Sequence, residues 1–178
     1  MPSEKYRVGI VFRPLEASGS GSSKRVRGAP TTKGHIGDAA ITHWILVFSN
    51  GSSSRRVELI NNEGRISYSV RDSEHKVPAY YFANFTGHLS DINKLAREHP
   101  MNGKYYNEVV NNCQHWAAHF LASLSDLAKA SSHRHFGITD RETFKLVVHV
   151  AKNKGHGANL PNDLVVATMN ALVKLIAN

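Results

Sequence analysis

The chain holds one cysteine, Cys113, among its 178 residues. A single thiol excludes an internal disulfide framework and a cysteine-based structural zinc cluster, because each needs at least two. Long apolar runs are also missing. The longest, near Val165 to Ala177, is interrupted by Thr168, Asn170 and Lys174, and Met1 to Arg7 contains no apolar stretch of the signal-peptide kind. Secretion by a standard signal and membrane spanning are therefore disfavoured, and an intracellular, cytoplasmic location is the expectation. Acidic residues are scarce too: 14 Asp and Glu face 22 Lys and Arg, for a formal charge of +8.

What is present is the composition of one globular domain. Hydrophobic residues make up 41% and charged residues 20%, neither disordered nor fibrous, and the length suits a single core. The positive charge is concentrated at the ends. Residues 1–40 carry 7 basic and 3 acidic groups, residues 41–125 carry 8 and 7, and residues 126–178 carry 7 and 4. Lys24, Arg25, Arg27 and Lys33 lie in a Gly/Ser-rich stretch, about residues 14–38, that reads as a flexible loop. Those flanks are either a solvated loop or an arm for an acidic partner, and no aromatic residues interleave with the charges to stack nucleic-acid bases.

The pattern along the chain predicts an α+β fold. Tyr6 to Phe12 has strand composition, and Ile41 to Phe48 reads as a central strand buried on both faces, followed by an Asn50-Gly51 turn. Arg56 to Ile60 and Arg65 to Val70 continue an antiparallel meander across the turn at Asn61 to Gly64. Helical spacing then runs from Leu89 to His99, stopped by Pro100, and from Asn112 to about Ala130 through Trp116, Phe120, Leu121 and Leu124. Thr139 to Glu142 has the form of a capping box before a third helix, and Pro161 opens a fourth. The expected division is a domain over residues 1–130 with a helical extension, residues 131–178, packed on it. Trp44, Trp116, Phe120 and Tyr106 are expected in the core, and His133 and His135 in a polar loop.

Asn112 is a natural helix N-cap, which places Cys113 in the first helical turn. There the helix dipole and nearby backbone N–H groups favour thiolate and can hold an oxyanion. Cys113 is thus either a small apolar core residue or a nucleophile. A nucleophile needs a base, and His43 is the conspicuous candidate because it interrupts an otherwise apolar strand, where an unpaired imidazole costs about 1–3 kcal/mol. Glu58, between Val57 and Leu59 on the adjacent strand, either orients His43 or faces solvent. Asn112, Gln114 and Trp44 would line the surroundings of the oxyanion and substrate. His115 and His119 stand four apart, a spacing that can bind zinc, but no His-Glu-x-x-His pattern accompanies them, so packing is the expected role. The chemistry needs neither metal nor cofactor.

Tyr105 and the run Asn112, Cys113, Gln114, His115, Trp116, Ala117 resemble the Asn-Cys-Glu-His-Phe nucleophile motif of lecithin:retinol acyltransferase-like proteins. His43 to Phe48 resembles the His-Trp-Ala-Val-Tyr-Val strand of the same group, which belongs to the permuted papain-like NlpC/P60 superfamily. The order of histidine before cysteine is shared, also with the related PPPDE thiol peptidases. The resemblance covers about residues 41–125. It implies a small antiparallel sheet packed on a cysteine-bearing helix, Cys113 as nucleophile, His43 as base, and a hydrolase or acyltransferase working through an acyl-thioester. A PPPDE-like thiol peptidase or isopeptidase, acting on amide bonds, is the alternative enzyme. A non-catalytic binding module with basic flanks is the alternative of another class. Glu58 stands where the acyltransferase-like group has a histidine, and Gln114 replaces an acidic residue.

Overall fold

A computed structural model describes residues 3–14, 42–51, 53–74, 77–106, 112–154 and 163–177. The basic cluster Lys24, Arg25, Arg27 and Lys33, most of the expected loop at 14–38, and Pro161 lie outside the described residues.

The architecture is α+β. Six strands, β1 (Glu4–Pro14), β2 (Thr42–Ser49), β3 (Ser54–Asn62), β4 (Arg65–Ser73), β5 (Tyr80–Gly87) and β6 (His135–Ile138), form one antiparallel sheet in the order β4-β3-β2-β1-β5-β6. Four helices accompany it: α1 (Leu89–Arg97), α2 (Cys113–Lys129), α3 (Arg141–Lys154) and α4 (Asp163–Ala177). The meander expected from the sequence is the β2 to β4 part of this sheet, and β1 pairs with β2 at its other edge. The β3–β4 turn places Glu63 and Gly64 at φ 53° and 83°, the left-handed pair that a tight two-residue hairpin demands. The Gly64 N–H donates to Asn61 Oδ1 at 2.8 Å and holds the turn closed.

Two strands escape the sequence pattern. The β5 segment is rich in aromatics but does not alternate simply, and it meets β1 across a register shift at Val8/Gly9. The β6 strand is only four residues long, and it corrects the placement of His135 in a loop: His135 pairs with Thr86 at the sheet edge. A strand that short carries too few residues for a period to show, so long-range pairing alone defines it.

The centre of the sheet is apolar on both faces, as the run in β2 predicted: Trp44 to Phe48 are all at most 1% exposed. Phe48 packs on Phe120 of α2 with ring centroids 6.0 Å apart, and Phe120 in turn stacks on Trp116. Helix α2 therefore lies across the sheet with its aromatic stripe inward. Helices α3 and α4 pack against α2, so Phe144, Val147 and Leu172 join the same core. The cap of α3 is Asp140 rather than Thr139. Asp140 Oδ1 accepts the Thr143 N–H at 3.1 Å, while the Thr139 N–H donates to the Phe82 carbonyl.

After α1 the chain returns along the free edge of β4. Ile66 N–H donates to the Lys104 carbonyl and Gly103 N–H to the Ile66 carbonyl, both at 2.8 Å. The Arg65 guanidinium lies 4.5 Å from the Tyr105 ring centroid. Tyr106 packs at the rim of the core. This return anchors the chain shortly before the start of α2, and so helps to set where Cys113 falls.

Candidate functional site

Helix α2 begins as its sequence predicts. Asn112 has extended backbone angles and its Oδ1 accepts the His115 N–H at 3.1 Å, which makes it the N-cap and puts Cys113 at the first helical position. Cys113 is 3% exposed. Its Sγ lies 3.6 Å from Gln114 Oε1, and Gln114 is buried beside it.

The register of the central strands explains how the other two residues meet. The β2–β3 ladder ends with Ile45 opposite Glu58, and His43 stands two residues further along β2. His43 and Glu58 are therefore diagonal neighbours where the two strands part, within reach of long side chains. His43 Nε2 and Glu58 Oε2 are 2.8 Å apart, and the Cys113 side chain hydrogen-bonds to the same imidazole. The three residues named from the sequence are thus brought together, with His43 in the middle. Glu58 is 6% exposed, which excludes the solvent-facing alternative.

Burial and charge compete at this imidazole. Desolvation opposes protonation, but hydrogen bonds to Cys113 and Glu58, together with their charges, overcome it and raise the His43 pKa to about 9. Glu58 moves the other way. Burial raises its pKa, yet the hydrogen bond to His43 and the charges of His43, Arg13 and Arg71 outweigh it and leave the carboxyl below its ordinary value of 4.5. Arg13 and Arg71 were not singled out from the sequence. The available signal was positional: Arg71 lies on the strand beside Glu58, and Arg13 is directly opposite His43 on β1.

These shifts set a pH window. A histidine raised from 6.5 to about 9 contributes stability that is complete below 6.5 and lost as pH climbs through 9. A carboxyl lowered from 4.5 contributes stability present above 4.5 and lost on acidification. Glu58→Gln is expected to cost about 1.5–3 kcal/mol, as for a hydrogen bond to a charged group. The cost is largest between pH 5 and 6.5, about the window these shifts define, and shrinks above pH 9. Thermal melts of both proteins from pH 5 to 10 check this, and a melting-temperature difference that grows with pH would contradict it.

Of the remaining expected site residues, Asn112 spends its side chain on the cap, and Trp44 is 1% exposed with its ring edge-on to Phe12 in the core. Trp116 and Phe120 are core residues as expected. His115 and His119 turn to different neighbours. The His115 ring is buried with only a weak contact to the Ala151 carbonyl, neither nitrogen reaching hydrogen-bond geometry, and burial holds its pKa down to about 4. His119 Nδ1 lies 3.3 Å from Ser123 Oγ, and its ring meets His99 edge-on at 4.7 Å. His99 stacks on Trp116, accepts the Met101 N–H at Nδ1 and donates from Nε2 to the Trp116 carbonyl. Burial first, then the nearby His119 charge, hold its pKa down to about 3, so it serves as a neutral packing group. Among the described residues no three His, Cys, Asp or Glu side chains gather as a metal-holding group.

Fold and site together define an α+β protein in which a helix-start thiol, an imidazole and a buried carboxylate form one hydrogen-bonded chain. No family model matches the sequence, and no match was found among curated proteins or solved structures. Among the described residues no helix is long and apolar enough to cross a membrane.

Proposed function

We propose that the protein is a cysteine-nucleophile hydrolase or acyltransferase of permuted papain-like type, acting through an acyl-thioester on Cys113. The observation that carries this reading is His43 bridging two partners: Glu58 at 2.8 Å on one side and the Cys113 thiol on the other. A base within reach of a nucleophile and oriented by a third group is the arrangement that activates a thiol.

Because the His43 pKa is raised to about 9, the imidazole holds its proton through neutral pH. A cationic imidazole beside the sulfur favours the thiolate form in which Cys113 attacks. Cys113 Sγ attacks the carbonyl carbon, and the positive end of α2 favours the negative charge that develops on the oxygen. As the tetrahedral adduct collapses, the bond to the leaving group breaks and His43 gives that group its proton. Water or an acceptor amine or hydroxyl then attacks the thioester, His43 takes its proton, and the sulfur leaves as thiolate beside the restored imidazolium. Glu58 keeps the ring oriented and stabilises its charged form. Gln114, buried against the sulfur, restricts the thiol's rotation.

The substrate bond is identified by incubating the protein with a phospholipid, an acyl-thioester and a peptide amide. Turnover of ester or thioester alone assigns the acyltransferase-like reading, whereas amide cleavage assigns the peptidase. Absence of any covalent acyl-Cys113 species by mass spectrometry with all three would remove the catalytic proposal in favour of a binding module.

A further inference from the structure

Like charges directly opposite on neighbouring antiparallel strands destabilise a sheet unless something lies between them. Arg56 on β3 and Arg71 on β4 are such a pair. Glu58 is two residues along β3 from Arg56, so about 7 Å away on the same face of the sheet. Arg13 is opposite His43 on β1, and the charges of Arg13 and Arg71 both reach Glu58. The charges of two guanidiniums thus act on one carboxylate already engaged with His43, and Arg56 stands opposite one of the two, Arg71.

Three described arginines elsewhere find acids, and Arg7 and Arg65 lie over tyrosine rings. Arg55 forks onto Asp72 through two 2.7 Å hydrogen bonds, Arg134 holds Asp91 in the same way at 2.9 and 3.0 Å, and Arg97 meets Glu98. Among the described residues, Arg13, Arg56 and Arg71 have no carboxylate within ion-pair distance. The buried Arg56 Nε has no hydrogen-bond partner at all. Arg71 Nε donates to the neutral Ser69 Oγ at 3.1 Å, so its charge is met only at longer range, by Glu58. Arg13 and Arg71 are exposed and Arg56 is half-buried, so the cluster is open to solvent while its inner atom is dry. A planar guanidinium fork matches an oxyanion, and two or three converging forks select one strongly.

We propose that Arg13, Arg56 and Arg71 form an anion subsite beside the Cys113–His43–Glu58 chain, and that the acyl substrate carries a phosphate or carboxylate group which these side chains bind. The inference rests on the catalytic reading above and extends it to substrate class. An anion there relieves the Arg56–Arg71 repulsion and fixes the carbonyl relative to the thiol.

Two measurements separate this subsite from the catalytic reading. The first compares a neutral 4-nitrophenyl ester with matched esters that carry a carboxylate or a phosphate on the acyl chain. Wild-type protein is expected to favour at least one charged ester at least tenfold in kcat/KM, and which one distinguishes the two anions. Arg56→Gln and Arg71→Gln are expected to reduce that preference about tenfold each, mainly through KM. Arg71 is exposed, so its variant keeps the test alive if Arg56→Gln folds poorly, and Arg97→Gln on α1 serves as the control. Equal turnover of neutral and charged esters, or a preference unchanged in the Arg71 variant, overturns the proposal. The second titrates inorganic pyrophosphate into the Cys113→Ala protein by calorimetry, and needs no catalysis. Binding that weakens at least fivefold in Arg71→Gln supports the subsite even if no ester is turned over. No binding, or binding indifferent to Arg71, sinks it.

Discussion

Cys113→Ala is expected to reduce turnover of any acyl substrate at least 10³-fold while the protein stays folded. The sulfur is the only atom among the described residues that combines nucleophilic character with contact to the His43 imidazole. Removing it leaves Glu58, His43 and the helix terminus in place, so binding persists and chemistry stops. Loss of one buried sulfur costs about 1 kcal/mol, comparable to deleting a single core methyl group. Cys113→Ser is expected to be nearly as inactive, because a hydroxyl hydrogen-bonds to the imidazole but cannot form the thioester. Steady-state kinetics with a melting curve for each variant tests this. Activity within tenfold of wild type in the alanine variant would dismiss Cys113 as nucleophile.

His43→Ala is expected to have the second largest effect, and pH reveals it best. With its pKa raised to about 9, His43 keeps a positive charge beside the thiol throughout the neutral range. Alkylation of the wild-type protein by iodoacetamide is therefore expected to fall less steeply between pH 9 and pH 6.5 than alkylation of the variant. Without the imidazole the rate should fall about a hundredfold over that range, as for an ordinary cysteine, whose pKa is about 8.5. The comparison uses each protein's own ratio of rates, so the shielding of a 3% exposed residue cancels. Identical pH profiles for the two proteins would show that His43 does not activate the thiol. Turnover in His43→Ala is expected to drop by about 10²–10⁴, the range for loss of a general acid–base.

The parts of this protein that could be read without coordinates are those whose signal is local. Asn112 before an apolar helical stripe announces a cap, and the structure has Asn112 capping α2 with Cys113 as the first helical residue. The unbroken apolar run after His43 announces a central strand, and Trp44 to Phe48 are buried on both faces. The third helix was also legible, although its cap moved one residue to Asp140, because Thr139 is committed to the Phe82 carbonyl of a strand far away in sequence. The failures are non-local. Strand β6 exists because β5 offers it an edge, and His135 took a strand position that its polar neighbours Ser132, His133 and Arg134 concealed.

The same division runs through the site. The sequence by itself determined the helix-start thiol, the one histidine set into an apolar strand, the absence of any second cysteine, and the antiparallel order of β2 to β4, since each follows from spacing or turn chemistry within a few residues. Tertiary structure decided the rest. Whether Glu58 faced the histidine or water depended on a register, Ile45 against Glu58, and a shift of one residue would have turned the carboxylate to the other side of the sheet. That Arg56 and Arg71 stand opposite one another, and that Arg13 is beside His43, also follows from register. Periodicity reports which residues share a face of one strand, but only pairing between strands brings charges from three of them to one place.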